Sequence, residues 1–280
     1  MVIQRYRESI DNFFELYLFN IYLVIRIAEL SKTEAKKRGA KHISDDYDKA
    51  FIDKLWTNKL ISYLVHNESL NLKFRKLHFD SKIEEDFVKK LYKSFSELPE
   101  YKKYIKSDND DNSAHLEILL SLYRFIRKNE FFEEQVEGHY SAWNDDSSLI
   151  IGAVKRSLKS IPLPIDDFYS EFIPDDETVD EFGAVLLKSV LNNNEDLETI
   201  ILPTLKNWDK DRVANLDMIM IKMAVSEFIY FDSIPTKVTL NEYVEMSKLY
   251  STEKSKDFVN GIMDRIMRDL TESGRINKIK

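Results

Sequence analysis

Between Ser251 and Phe258 the chain reads Ser-Thr-Glu-Lys-Ser-Lys-Asp-Phe. At a helix start this spacing gathers ammonium groups, hydroxyls and an aromatic ring. Free backbone N–H groups and the macrodipole already favour an anion there. Lys254 and Lys256 add positive charge, and Ser251, Thr252 and Ser255 supply hydroxyl donors. Phe258, one turn on, offers a face on which an unpaired base stacks when it is exposed. The chemistry this predicts is recognition of phosphate and base. The bland reading of the same residues is a solvated lysine bend followed by a core phenylalanine.

Other reactive groups form no comparable pattern. Glu227 follows Met220 by seven and Met223 by four, which places a carboxylate on an apolar helix face. An unpartnered carboxylate there costs several kcal/mol, so it is read as an acceptor of hydrogen bonds from a neighbouring loop; the rival reading is an acid or base. His42, His66, His78, His115 and His139 show no metal-like pairing, and no Gly-rich phosphate loop or Gly-x-Ser-x-Gly elbow occurs. The run Asp108 to Ser113 looks like a calcium loop for five residues, but Ser113 stands where the sharp turn needs Gly and Leu119 where a bidentate Glu belongs. It is read as a solvated acidic turn. With no cysteine, disulfides, thiolate metal sites and Cys nucleophiles are excluded. No cofactor or metal is expected.

These residues need elements to hold them. Only 6 Gly and 6 Pro in 280 residues, with apolar positions recurring at three-and-four spacing, predict an all-α chain. The apolar run from Phe13 to Ile25 is interrupted by Glu15 and Asn20 and reads as a buried helix, Ile10 to Leu30, rather than a signal peptide or membrane span. A lysine-rich bend over Lys32 to Lys41 is expected to follow. Ser81 and Glu84 have capping-box spacing before Phe87, Leu91 and Phe95. Asn112 or Ser113 opens a helix carrying Leu116, Leu119, Leu120, Tyr123 and Ile126, and Asp145 or Asp146 one carrying Leu149, Ile150, Val154 and Leu158. Three of the six prolines fall between Ile161 and Pro174, and proline breaks helices. The predicted organisation is an acidic helical region over 1–160, a Pro-rich linker over 161–174 and a helical domain over 175–280.

In that last part Phe182, Val185, Leu186 and Val190 mark one helix, and Leu197, Ile200, Ile201 and Leu205 the next. Asp209 or Asp211 is expected to cap a helix with an apolar face of Val213, Leu216, Ile219, Met220, Met223, Ala224 and Phe228. Thr239 and Glu242 have capping-box spacing, with Val238 stapled to Tyr243. Gly261 interrupts the final stripe of Phe258, Ile262, Met263, Ile266 and Leu270. An interior Gly costs about 1 kcal/mol relative to Ala, and close approach of a neighbouring helix is expected to offset it. The net charge of −8 is uneven: 13 Lys and Arg stand against 12 Asp and Glu from Thr204 onward, and 28 against 37 before it. The acidity that opposes phosphate binding lies in the N-terminal part.

Three ordered segments, Asp211 to Asp217, Ile234 to Glu242 and Lys254 to Asp264, resemble the NusB transcription antitermination family. The resemblance covers about Glu177 to Leu270. It implies a NusB-like all-α fold of paired small helical bundles, no enzymatic activity, a cytoplasmic location, and a complex with ribosomal protein NusE that binds single-stranded boxA-like RNA in an RNA polymerase antitermination complex. The family's RNA contacts at the start of its final helix correspond to Lys254 and Phe258, with Ser255 and Lys256 beside them. Asp217 matches an acidic position that the family uses toward its protein partner and RNA, and Lys237 a common family lysine. The family typically begins with an Arg-rich first helix, where this chain has Met1 to Arg7 with only Arg5 and Arg7. Its long acidic N-terminal part resembles the extended Bacteroidetes-type members. The rival reading is a helical protein-interaction scaffold that has lost RNA binding, and nucleic-acid titration separates the two.

Overall fold

Leu, Lys and Glu favour helix over strand, and the described residues follow that preference. The structure, a computed structural model, describes residues 1–43, 45–140, 143–164, 167–205, 213–251, 255–276 and 278. Among them every regular element is helical. The order is α1 (Val2–Gly39), α2 (Asp46–Ala50), α3 (Lys59–His66), α4 (Glu68–Lys76), α5 (Phe79–Lys82), α6 (Glu85–Ser96), α7 (Pro99–Lys106), α8 (Asn112–Arg127), α9 (Glu130–His139), α10 (Trp143–Ser160), α11 (Ala184–Asn192), α12 (Asn194–Ile201), α13 (Asn215–Tyr230), α14 (Thr236–Tyr250) and α15 (Ser255–Glu272). A π-helix, Glu177–Gly183, leads directly into α11. No helix among the described residues is long and apolar enough to cross a membrane.

The helices gather into two compact units, Arg7–Ile173 and Met1–Tyr6 with Pro174–Lys280. In Arg7–Ile173, α1 buries ten consecutive residues, Leu16 to Ile25, so it is wrapped on all sides. Its polar positions are satisfied inside: Asn20 Nδ2 donates to the Leu16 carbonyl at 2.8 Å and Tyr123 OH to Asn20 Oδ1 at 3.2 Å. Around it pack Phe79, Phe95, Tyr101 and Phe132. Ile161, Phe168, Tyr169 and Phe172, within or beside the proline-rich stretch, belong to the same core.

Two expectations fail here. The bend over Lys32 to Lys41 is helical as far as Gly39. Its Lys, Glu, Ala and Arg are strong helix formers, and Arg38 Nε donates to Glu34 one turn back at 2.6 Å and Nη1 to Asp48 at 2.5 Å. Ser81 caps nothing: its hydroxyl donates to the His78 carbonyl, and α6 starts later, after Glu84.

In the second unit α13 lies against α11, α12, α14 and α15, with Met220, Ile221, Ala224, Val225 and Phe228 buried. Leu216 and Ile219, expected in that core, are each 50% exposed. Helix α13 begins only at Asn215 with Ala214 at its N-cap; the expected caps Asp209 and Asp211 lie outside the described residues. Val185 also faces outward, because the i→i+5 bonding of the preceding π-helix breaks the 3.6-residue register extrapolated from Phe182. The tight spot in this unit is Gly183. The Tyr6 hydroxyl, which donates to the Val179 carbonyl at 3.2 Å, would stand 1.9 Å from a Cβ at Gly183. No side chain fits there without moving the ring.

Candidate RNA interface

The start of α15 is held from inside by a chain of hydroxyls ending on a carboxylate. Ser251 closes α14 at its C-cap, with its N–H bonded to the Ser247 carbonyl. Its hydroxyl donates to Asp217 Oδ1 at 2.6 Å, and the Ser255 hydroxyl lies 2.8 Å from that of Ser251. One hydroxyl has one proton, so Ser255 donates to Ser251 while Ser251 donates to Asp217. Asp217 and Ser255 are each only 4% exposed. A carboxylate on the first turn of α13 thus fixes the end of α14, 34 positions away in sequence, and through it the first residue of α15.

A second carboxylate ties α13 to α14 deeper in the unit. Glu227, 5% exposed, accepts from Thr239 Oγ1 at 2.5 Å and Tyr243 OH at 3.3 Å. Burial, with the Glu227 charge beside it, pushes the Tyr243 phenol well above its ordinary pKa, so it remains a donor. The Lys278 ammonium donates to the Glu227 carbonyl at 2.6 Å, and burial holds its pKa below the usual lysine value. Glu227 therefore is a hydrogen-bond acceptor, fed by α14 rather than by a loop. Thr239 is spent on this contact, which removes the expected Thr239–Glu242 capping box. Helix α14 begins four residues earlier, with Pro235 at its N-cap, where a missing N–H costs nothing.

The other expected contacts divide. Lys256, on the first turn of α15, is exposed. Phe258 is half-buried: it packs against the core and keeps part of its ring accessible. Lys254 and Thr252 lie outside the described residues. Lys237 is exposed but sits on the first turn of α14, about 20 Å along that helix from its C-terminal end at 1.5 Å per residue. It does not join the α15 start in one cluster. Ser255 and Asp217 are enclosed, so their contribution is to fix the turn. Gly261 is exposed, and a Cβ added to it would meet nothing within 4 Å; the expected close helix approach is absent. Sequence reasoning missed the Asp217–Ser251 bond, which spans 34 positions, and nothing in local spacing signals it.

The NusB family model matches residues 157–268. The transcription antitermination protein NusB of Chloroherpeton thalassium is 35% identical over 118 residues, covering 41% of this chain and 56% of that protein. Its counterpart in Salinibacter ruber is 36% identical over 106 residues, covering 38% and 66%. That of Listeria welshimeri is 38% identical over 87 residues, covering 31% of this chain and 68% of the relative. The chain belongs to the NusB family. It spans between 56% and 68% of the length of these three NusB relatives, and no solved structure matches it. The matched NusB segment runs from the end of α10 through most of α15, so it contains Asp217, Lys237 and the α15 start, while most of the acidic N-terminal unit lies before it.

Proposed function

We propose that this protein is a cytoplasmic, non-catalytic transcription antitermination factor that, with ribosomal protein NusE, holds boxA-like single-stranded RNA within an RNA polymerase antitermination complex. One observation carries the reading. The first turn of α15 puts Lys256 in solvent beside the half-buried Phe258 ring, while the Asp217 carboxylate is turned inward onto Ser251 and Asp257 is the acidic residue of that turn. A cationic helix start next to an aromatic edge suits a phosphate followed by a splayed base. Lys254, two residues before Lys256 in sequence, adds a second cation in this reading. Lys237 serves a more distant phosphate along α14. Asp217 supports NusE binding indirectly, by holding the α13 to α15 surface in shape.

The test is titration of the full chain, alone and with NusE, against boxA RNA at two salt concentrations. Lys256→Glu is expected to weaken binding about tenfold or more and to flatten the log–log salt slope by about 0.7, the value for one phosphate contact on a single strand. An unchanged affinity and slope in a folded variant removes the site. Absence of any boxA binding by the native chain, with or without NusE, leaves the scaffold reading.

A further inference from the structure

The N-terminal unit, which the RNA reading does not use, carries a cleft of about 250 Å³ framed by α1, the turn before α3, and α4. Its aromatic lining is Tyr22, Phe74 and Trp56. Tyr22 and Phe74 are buried and meet edge to face at 4.9 Å, whereas Trp56 is half-buried. The space lies just below the roughly 300–1,000 Å³ of small-molecule pockets, which suits one planar ring better than an extended cofactor.

Which polar groups of the lining remain open decides the ligand. Arg26, Glu29 and Asp80 are spent on one another: Arg26 Nη1 lies 3.3 Å from Glu29 and 3.9 Å from Asp80, Nη2 donates to Glu85 at 3.0 Å, and Asp80 also accepts from the Tyr22 hydroxyl. Asn71 Nδ2 donates to the carbonyls of Val65 and Asn67 at 2.7 and 2.9 Å, so what Asn71 has left to offer the cleft is Oδ1, an acceptor. The Trp56 indole N–H, a donor, has no partner among the described residues. Arg75 is exposed and forms no ion pair among them. Lys32, also exposed, stands with its ammonium 5.4 Å from the centre of the Trp56 ring. Arg75 and Lys32 offset the excess of Glu29, Asp80 and Glu85 over Arg26, so the surroundings are neutral, and stacking has to supply most of the affinity. The open groups ask for a flat ring, an edge with both an acceptor and a donor, and an anion. A nucleotide has all of these, since every base has a stacking face and a polar edge; a phosphorylated phenol lacks the edge donor, and a lipid headgroup lacks the ring.

We propose that this cleft binds one nucleotide, its base against Trp56 and its phosphate at Arg75, as a free mononucleotide or as one unit of a single strand. The site is separate from the start of α15. The experiment titrates the full chain with AMP, CMP, GMP and UMP and with boxA-free RNA homopolymers, reading tryptophan fluorescence and the anisotropy of a labelled oligonucleotide. Quenching is expected in the native chain and is lost in Trp56→Phe, which keeps a stacking ring and should bind only a few-fold more weakly. Trp56→Ala should lower affinity about tenfold or more, within the range for one stacked base. Arg75→Glu, at an exposed position, should lower it several-fold and flatten the log–log salt slope by about 0.7. Lys256→Glu should leave it unchanged, which keeps this test apart from that of the α15 site. Tighter binding of the strand than of the mononucleotides makes RNA the source; equal or weaker binding makes it the free nucleotide. The proposal is overturned if the native chain binds neither, if Trp56 emission does not respond, or if Arg75→Glu binds unchanged with an intact melt. It is equally overturned if phenyl phosphate, a ring and an anion without a base edge, competes as well as the nucleotides.

Discussion

In the C-terminal unit the buried polar centres are carboxylates that receive hydroxyls: Asp217 from Ser251, and Glu227 from Thr239 and Tyr243. In Arg7–Ile173 the corresponding centre is built from a lysine, an amide, a phenol and an imidazole. The Lys54 ammonium donates to the carbonyls of Ser107 and Asn109 at 2.5 and 2.8 Å. Asn58 donates to the His115 carbonyl at 3.1 Å, and Tyr104 OH lies 2.8 Å from His115 Nδ1. The first arrangement joins helix ends and draws negative charge inward, away from the surface that carries Lys256. The second closes the acidic turn between α7 and α8 by feeding cations and amides to backbone carbonyls, and leaves Asp108, Asp110 and Asp111 outside. The comparison teaches that an acidic chain can present a cationic patch by choosing where its carboxylates are buried.

That contrast can be broken most forcefully at Glu227. Glu227→Ala leaves two buried hydroxyls without their acceptor, each worth about 1–3 kcal/mol when unsatisfied, so urea melts should show a loss of about 3 kcal/mol. A loss below 1 kcal/mol would mean that the carboxylate does not organise the unit. Asp217→Ala should cost less, about 1–2 kcal/mol, because Ser251 is only partly buried. It should also lower boxA affinity although Asp217 is enclosed. Retained affinity in a destabilised Asp217→Ala chain would separate the turn from RNA binding.

The N-terminal counterpart is testable by pH. Burial of His115 disfavours its imidazolium and lowers its pKa, a shift partly offset by Asp110 at 2.9 Å from Nε2. The unfolded chain therefore takes up this proton first, near pH 6.5. Below that pH the unfolded state binds more protons, so stability falls with acidification until the lower folded pKa is passed. Melts between pH 7.5 and 5 should show this decline, and His115→Gln should remove its share of the slope. A slope identical in the two chains would refute the assignment. The smallest effect is at Gly261, where open space surrounds the missing Cβ. Gly261→Ala should raise stability by about 0.5–1 kcal/mol, read as a higher denaturant midpoint at constant slope.

Local patterns carried the helix content, the family segments and most core positions. Phe87, Leu91 and Phe95 on α6, and Ile262, Met263, Ile266 and Leu270 on α15, are buried as their spacing demands, because a helix repeats every 3.6 residues wherever it sits. Patterns of two or three polar residues carried less. Ser81 and Thr239 have cap spacing, but a hydroxyl bonds whichever acceptor the fold brings nearest, and for Thr239 that is Glu227, 12 residues away. The Gly261 expectation failed for a related reason: a helical period states which residues share a face, not whether a neighbour covers it.

The amino-acid order by itself determined that the chain is helical, where its glycines and prolines interrupt it, and which segment carries the NusB pattern, since these depend on short-range sterics and periodicity. Tertiary structure alone decided that Met1–Tyr6 joins the C-terminal unit, that the Tyr6 hydroxyl occupies the space a Cβ at Gly183 would need, and that Asp217 and Ser255 turn inward while Lys256 remains in water. The physical reason is reach: a hydrogen bond or steric contact acts over a few ångströms in space, and only folding brings residues 34 or 173 positions apart within that distance.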